Sequence, residues 1–470
     1  MLSLYNTMTR RVGEFRPLNG NTVGLYTCGL TVYNYAHIGN LRTYVFEDIL
    51  KRTLLAAGYQ VRHVMNITDV GHLTSDADVG EDKMEEGSAR EGKTAWQIAE
   101  FYQQCFVHDL ERLHIRMPDI WCKATGHIAE QIEMVATLER KGYTYIIPGD
   151  GVYMDTSKVS DYGKLARLDI EGLQAGARIE MVEGKRNYTD FALWKFSPAG
   201  AKRQMEWPSP WGTGFPGWHI ECSAMAIKYL GERIDIHCGG IDHVPIHHTN
   251  EIAQAEAALG HEWVNWWVHG EFLTFPREGS EEAVKMSKSS GEFLTLDRLI
   301  QRGYEAAEYR YFLLGAHYRQ QLAFSWTALD AAQNAYRRLK RIVLDLRGQY
   351  KQGDEPLSEH VQALYQAAFD DLNMPQALAA MWMALKDTTA APGRLYATLL
   401  AMDSILGLGV AEMREEKLQL DEAAIDDLIA QRNAARKSKD FAKADEIRKT
   451  LADKGIILED KPGQTLWRRA

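Results

Sequence analysis

Residues 23–40 read VGLYTCGLTVYNYAHIGN, and the first six of them, Val23 to Cys28, form a short β-rich run. A loop follows, and then a periodic apolar segment from Leu41 to Leu55 that stops at Gly58. The reading is strand, loop, helix, with His37-Ile38-Gly39-Asn40 where the helix opens. Three further β-rich runs continue the pattern: Gln60–Thr68 (QVRHVMNIT), Arg233–Cys238 (RIDIHC) and Trp263–His269 (WVNWWVH), with helical periodicity between them. Such alternation predicts an α/β fold, a Rossmann-like parallel sheet covered by helices. The cluster Trp263, Trp266 and Trp267 falls on one of these inferred buried strands and reads as core.

The second and third runs are separated by about 160 residues, far more than a crossover between parallel strands needs. The sheet domain is therefore expected in two halves, residues 1–117 and 216–325, split by an insert over 118–215. The insert's end is marked by Trp207–Gly217 (WPSPWGTGFPG), where three prolines and three glycines in eleven residues forbid helix and central strand alike. From Trp326 the pattern is almost wholly helical, giving a helical bundle over 326–410 and a small tail domain over 411–470.

The chain has 470 residues, and at about 150 residues per domain that makes roughly three domains. Met1 to Arg11 lacks the apolar core of a secretory leader, and no stretch reaches the roughly 18 apolar residues of a membrane span, so a cytoplasmic protein is expected. Five cysteines (Cys28, Cys105, Cys122, Cys222, Cys238) are too few and odd in number for a disulfide framework, which leaves metal and thiol roles open. The net charge of −10 argues against a protein that coats nucleic acid by bulk charge. The tail departs from this: Gln431 to Ala470 holds eleven Lys or Arg against six Asp or Glu. That asymmetry points to a separate electrostatic role.

His37-Ile38-Gly39-Asn40 can act as a phosphate cradle, because a helix N-terminus presents unpaired N–H groups, Gly39 permits close backbone approach, and His37 and Asn40 can donate to phosphate oxygens. A plain helix cap is the competing reading. Lys285-Met286-Ser287-Lys288-Ser289 offers two lysines three apart that can flank a triphosphate, or else a solvated basic loop. Taken together, the two motifs at opposite ends of a split α/β domain resemble the two signatures of class I aminoacyl-tRNA synthetases.

A third group comprises Gly217–Cys222 (GWHIEC) and His247–Glu251 (HHTNE). His247 and Glu251, four apart, share a helix face, and Cys28 ends the first strand. Two thiolates, an imidazole and a carboxylate suit a tetrahedral zinc ion, although buried cysteines beside a helix-surface His/Glu pair would read the same way. Cys238 with His243 forms a rival set nearby. His219 and His248 flank the candidate ligands and can be structural or substrate-contacting. Cys105 and Cys122 read as buried apolar residues.

These stretches, with Tyr26–Asn40, Asn66–Leu73 (NITDVGHL), Gly217–Met225 (GWHIECSAM) and Arg432–Arg469, resemble cysteinyl-tRNA synthetases over nearly the whole chain. The resemblance implies zinc ligands at Cys28, Cys222, His247 and Glu251, a cysteine pocket lined by Trp218 and Asp242 with Thr68, and ATP contacts from His37, Gly39, Asn40, Lys285 and Lys288 with Mg²⁺. It further implies two steps, formation of cysteinyl-adenylate from L-cysteine and ATP and transfer to the 2′-hydroxyl at the 3′ end of tRNA(Cys), by a monomer. Thr249, Cys238 and Ser290-Gly291-Glu292 depart from the usual family residues without removing a ligand.

Zinc would explain the choice of amino acid. An apolar pocket separates near-isosteres only about 10²-fold, while Zn²⁺ binds a thiolate in preference to a hydroxyl. Two alternatives share parts of this reading. A ligase joining cysteine to an amino sugar, of the mycothiol-pathway type, would lack the basic tail; a catalytically silent tRNA- or zinc-binding relative would not need the two ATP motifs intact. The basic tail, with Arg432, Arg436, Lys437, Lys439, Lys443, Arg448 and Lys449 on two helical patterns parted near Asp440 and with Trp467, Arg468 and Arg469 beyond, is expected to present a basic, stacking face to the anticodon arm.

Overall fold

A computed structural model describes residues 1–71, 82–169, 182–198, 200, 203–276, 283–285, 293–415, 422–454, 456–461 and 464–469. They form two compact units, Met1–Glu412 and Met413–Ala470.

The centre of the first unit is a five-stranded parallel sheet in the order Val264–Gly270, Ile234–Gly240, Thr22–Thr27, Gln60–Ile67, Ile120–Lys123. All four β-rich runs of the sequence are in it. Numbered along the chain the order is 5-4-1-2-3, so its direction reverses between Thr22–Thr27 and Ile234–Gly240. Crevices at such a reversal, beyond the carboxyl ends of the strands, are where open α/β sheets bind ligands. Trp263 and Trp267 are buried in the core, and Trp266 packs edge-on against Phe15 at 5.8 Å. One boundary needs correction: Ile120–Lys123, expected in the insert, pairs in parallel with Gln60–Ile67 as the sheet's edge strand. The first half of the sheet domain thus runs past residue 118. Beyond it, Thr144–Ile147, Gly151–Met154, Phe191–Phe196 and Gly214–Pro216 make a separate four-stranded antiparallel sheet.

The strand Ile234–Gly240 is buried along its entire length, so its polar side chains need internal partners. Asp235 accepts from the backbone N–H of Leu18 at 2.5 Å and of Gly24 at 2.8 Å. The helix Ile38–Ala56 covers the sheet and buries Asp48, which accepts from Arg310 Nη2 at 2.6 Å, Arg52 Nε at 2.7 Å and the Arg116 N–H at 2.8 Å. Arg310, itself fully buried, also donates to the carbonyls of Leu406 and Leu113. This charged knot ties the first helix to the helical region, whose members Trp326–Arg347, Ser358–Phe369, Met374–Ala384 and Pro392–Leu406 lie in the same compact unit as the sheet.

In the second unit the helices Glu422–Lys437 and Phe441–Asp453 pack with a hairpin, Ile456–Lys461 and Gln464–Arg469, around Ile425, Ile429, Ile447, Leu451, Ile456 and Leu458. The chain turns between the helices at Lys439, with φ +63°, and Asp440 caps the second helix through the Lys443 N–H at 3.1 Å. The expectation of a wholly exposed basic face needs amending here. Arg432 is buried and grips Asp460 with two hydrogen bonds at 2.9 and 2.8 Å, Arg436 meets the same carboxylate at 2.9 Å, and Trp467 packs on the core. Lys437, Lys439, Lys443, Arg448 and Lys449 are exposed. Among the described residues no helix is long and apolar enough to cross a membrane.

Candidate active site

The reversal point opens into a cleft of about 370 Å³. Cys28 and Thr68 reach it from the ends of two central strands, Asp242 from just past a third, and His37 and Asn40 from the start of the first helix. Trp218, Cys222 and His247 complete the wall, and His243 is also present. The sequence-predicted residues His37, Asn40, Thr68, Trp218, Asp242, Cys28, Cys222 and His247 thus share one cavity. Gly39 lines a smaller adjoining hollow with Asn40, Thr43 and Asp242.

His37 is the N-cap of the helix Ile38–Ala56. Its Nδ1 accepts the Asn40 N–H at 3.0 Å, and Asn40 Oδ1 accepts the His37 N–H at 3.2 Å. The cap satisfies two orphan donors reciprocally. It also sets the chemistry, because an imidazole accepting at Nδ1 carries its proton on Nε2, and an asparagine accepting at Oδ1 keeps its amide N–H groups for another partner. The cap is therefore compatible with either reading of the motif. Gly39 has a role that the sequence did not suggest: a Cβ there would stand 3.0 Å from the His37 ring, so its lack of a side chain makes room for the folded-back imidazole.

Lys285 is described through its backbone, in the short strand Ala283–Lys285 opposite Thr274. Lys288 lies outside the described residues.

The third group assembles deep in the cleft. Donor atoms of Cys28, Cys222, His247 and Glu251 all lie within 4.8 Å of one another and all four residues are buried. Cys222 and His247 sit on the facing helices Trp218–Leu230 and His247–Leu259. His247 Nε2 is 3.0 Å from Glu251 Oε1, the i,i+4 relation expected from the sequence. Cys28, Cys222 and His247 line the cleft, whereas Glu251 is fully buried and is not among the lining residues. Glu251 Oε1 accepts no well-aligned hydrogen bond. Two sulfurs, an imidazole and an underused buried carboxylate oxygen fit a soft divalent cation such as Zn²⁺.

The electrostatics agree with this fit. Burial opposes ionisation of Glu251, yet the neighbouring His237 and His247 hold its carboxyl down at about 2. Burial opposes charge on His247, but Glu251 and Cys222 raise it to about 10. Burial would raise the Cys222 thiol; its hydrogen bond with Cys28 and the charge of His247 bring it to about 7 instead. Burial, followed by the contact with Cys222, pushes Cys28 well up. Cys222 is thus the more acidic of the two thiols.

Around these four residues lies a shell of histidines, of which the sequence leaves His219 and His248 undecided and does not single out His237 and His269. His237 Nε2 is 2.9 Å from Glu251 Oε2, and His219 Nδ1 is 3.0 Å from His247 Nδ1. His248 Nε2 meets Cys28 Sγ at 3.3 Å, its Nδ1 meets His269 Nε2 at 2.7 Å, and His269 Nδ1 reaches Thr7 Oγ1 at 2.8 Å. His219 and His248 are therefore buried supports, absent from the cleft wall. Second partners of this kind fix the ring orientation and tautomer of metal ligands. A second group of donors within the same distance of one another does exist, but it is Cys28, His237, His248 and Glu251 and contains neither Cys238 nor His243. Cys238 points away from His237 on its strand, and its thiol, raised by burial and then by Glu47, faces the first helix. His243 lines the cleft, and burial keeps it neutral, with a pKa lowered to about 4. Trp218 lies over His247, with ring centroids 4.4 Å apart.

Comparison with known proteins follows the same lines. The family model for tRNA synthetases class I (C) catalytic domain matches residues 14–334, and that for the cysteinyl-tRNA ligase anticodon binding domain matches residues 422–468. The chain is 52% identical over 472 residues to cysteine–tRNA ligase 1 of Burkholderia lata, covering 99% of this chain and 97% of that one. It is 46% identical over 496 residues to the cysteine–tRNA ligase of Treponema denticola, covering 100% and 99%. Among solved structures it resembles the LeuRS of Agrobacterium radiobacter in a ternary complex with tRNA and LeuAMS, with TM-score 0.58, 12% identity and 85% of each chain covered. It also resembles Mycobacterium tuberculosis methionyl-tRNA synthetase in complex with methionyl-adenylate, with TM-score 0.52, 16% identity and 83% and 90% covered. These two likenesses concern the fold alone.

Proposed function

The chain belongs to the cysteine–tRNA ligase family, an aminoacyl-tRNA ligase with tRNA, ATP and cysteine as substrates, and from that premise we propose how its own residues carry the reaction. In the first step a carboxylate oxygen of L-cysteine bonds to the α-phosphorus of ATP while the bond to pyrophosphate breaks. His37 Nε2–H and the side-chain amide of Asn40 donate to the phosphate oxygens at the positive end of the first helix's dipole, and Lys285 and Lys288 add positive charge beside ATP-bound Mg²⁺. Phosphoryl transfer needs positioning and charge stabilisation more than a covalent nucleophile, which suits a site made of fixed donors. In the second step a ribose hydroxyl at the 3′ end of tRNA(Cys) bonds to the carbonyl carbon and AMP leaves.

Amino-acid choice is assigned to the deep end of the cleft. Cys28, Cys222, His247 and Glu251 would hold one zinc ion. Bound there, it would supply a soft acceptor for the substrate thiolate that a serine hydroxyl matches poorly. Trp218 and Thr68 shape the pocket, Asp242 offers a carboxylate to the substrate ammonium, and His219 and His237 keep His247 and Glu251 in register. The second compact unit takes the anticodon arm, and the enzyme works as a cytoplasmic monomer.

One observation carries this reading: the phosphate-facing cap of His37 and Asn40 and the thiol-selecting set of Cys28, Cys222 and His247 line the same cleft. Adenylate chemistry and thiol recognition need that proximity. The test is cysteine-dependent exchange of labelled pyrophosphate into ATP by the zinc-loaded chain without tRNA. Exchange with cysteine and not serine is expected; exchange with another amino acid and none with cysteine would overturn the assignment.

A further inference from the structure

His243 lines the cleft yet takes no part in the proposed reaction. It ends the short turn Ile241–His243, which follows directly on the strand Ile234–Gly240, so it stands at the carboxyl edge of the sheet beside the reversal point. Its half-buried ring belongs to the deep end of the cleft. The ring centroid lies 5.2 Å from that of His247, 5.1 Å from that of His248 and 6.3 Å from that of Trp218, the last edge to face.

The two ring nitrogens have different surroundings. Nδ1 is buried without a hydrogen-bond partner among the described residues, which leaves Nε2 as the ring nitrogen toward the cleft. Nδ1 faces Gly239, where a Cβ would stand 2.6 Å away, so glycine's missing side chain is what makes room for the ring. In that direction glycine carries a C–H, a weak donor that suits a lone pair and not a second hydrogen. The ring proton therefore sits on Nε2. A donor there meets one particular part of the substrate. Asp242, the preceding residue of the same turn, is assigned to the substrate ammonium, while His247, in ring contact with His243, belongs to the thiol-selecting set. The ammonium nitrogen and the sulfur of one cysteine are three bonds apart, so successive residues of one turn can reach both. The substrate carboxylate, by contrast, faces the phosphate end of the cleft at His37 and Asn40.

Resting on the assignment of this cleft to cysteine, we propose that His243 is a specificity-determining residue whose Nε2–H donates a hydrogen bond to the sulfur of the substrate. The metal set selects for a soft side-chain atom; His243 requires that this atom also accept a hydrogen bond. An amino acid with a methyl group in the sulfur's place leaves the N–H facing a group that cannot accept, and an unpaired donor in a desolvated pocket is what makes such a contact discriminate.

Two variants of the zinc-loaded full chain test it, His243→Phe and His243→Leu. Both remove the donor, and leucine is small enough that crowding cannot mimic the effect. Calorimetric binding is measured for L-cysteine and for L-2-aminobutyrate, which carries a methyl group where cysteine carries its thiol, with zinc content and thermal unfolding read on the same samples. The parent should prefer cysteine. In both variants zinc content should stay parental, the Kd for cysteine should rise about tenfold, and the Kd for 2-aminobutyrate should not rise, so that the ratio of the two falls by the same factor. A parental ratio retained in both variants would overturn the inference. So would an equal loss for the two ligands, which would make His243 a wall of the pocket, or loss of zinc from both variants, which would make it a support of the metal set. A parent without preference for cysteine would overturn the assignment of the cleft and the inference with it, whereas a parental preference that survives both substitutions overturns the inference alone.

Discussion

His37 Nδ1 accepts the Asn40 N–H at 3.0 Å, so the residue that starts the first helix, and that lines the cleft, carries its ring proton on Nε2. Structure and chemistry can be separated here by choosing a replacement that caps but cannot donate in the same place. His37→Asn supplies a good N-cap acceptor but shortens the side chain and removes the imidazole donor. Thermal unfolding should change by no more than about 1 kcal/mol, while the rate of cysteine-dependent pyrophosphate exchange should fall about 10²-fold, the cost of one donor to developing charge. A large loss of stability with exchange lost in proportion would return His37 to a purely structural role.

The buried Asp48 makes a prediction about stability and its dependence on pH. Burial opposes its charge, but Arg310 and Arg52 hold its carboxyl below the ordinary value. Because the folded value lies below the unfolded one, the stabilisation is complete above the unfolded carboxylate range, near pH 4, and is lost as pH falls through the depressed folded value. Asp48→Asn should cost about 3–5 kcal/mol at pH 7, since it leaves Arg310 buried without its counter-charge. The difference between variant and parent should shrink on acidification. A constant difference from pH 7 to pH 3 in denaturant titrations would show that the carboxylate charge is not what Arg310 needs.

Glu47, one residue earlier, behaves in the opposite sense. Burial pushes its carboxyl well above the ordinary value, with a contact from Thr27 opposing more weakly. It faces the sheet beside Cys238, away from the charged knot that serves Asp48. A raised folded value means that the folded chain holds a proton which the unfolded chain has released, so this residue's penalty grows as pH rises above the unfolded range near pH 4. Glu47→Gln should therefore match the parent near pH 4 and become more stable than it towards pH 7. Matching stabilities at pH 7 would mean that Glu47 is ionised in the fold.

How far these features could be read from the sequence depends on whether they are local. The strand–loop–helix of residues 23–55 rests on periodicity within one stretch, and the structure follows it as Thr22–Thr27 and Ile38–Ala56. His247 and Glu251 are four apart on one helix, so their shared face was legible. His237 was not: a single histidine in the run RIDIHC reads as one more buried strand residue, and its 2.9 Å approach to Glu251 exists only because strand and helix meet in space. The same holds for Arg432 and Asp460, 28 residues apart, whose pairing turns an expected phosphate contact into a structural one. Ile120–Lys123 was assigned to the insert because four residues after a proline carry too weak a period-two signal to announce an edge strand.

The metal set gives a prediction in which ligands, support and rival are distinguished in one series. Cys222→Ser should lose zinc and the preference for cysteine over serine. Cys238→Ser should keep both, because that thiol faces the first helix and joins neither group of donors. His237→Ala should keep the stoichiometry of one zinc but weaken its affinity about 10–100-fold, as removal of a ligand's hydrogen-bond partner does. Metal content after dialysis against graded chelator reads all three. Zinc lost by Cys238→Ser, or retained at full affinity by Cys222→Ser, would move the site.

The second compact unit separates basic residues that build the fold from those exposed to solvent. Arg432 is buried on Asp460, whose carboxyl is held well below the ordinary range by that contact. Lys437, Lys439, Lys443, Arg448 and Lys449 are exposed on the two helices and their turn. Reversing three of these, Lys439→Glu, Lys443→Glu and Lys449→Glu, should leave thermal unfolding and pyrophosphate exchange near parental values. Binding of tRNA(Cys) should weaken and its logarithmic salt dependence flatten, each lost phosphate contact removing a slope of about 0.9 in duplex regions and about 0.7 in single strands. Arg432→Ala should behave differently, unfolding the second unit at lower temperature because Asp460 loses its bidentate partner and the buried stem leaves a gap. If the triple reversal bound tRNA with the parental salt slope, the exposed lysines would be solvated surface and the anticodon arm would be gripped elsewhere.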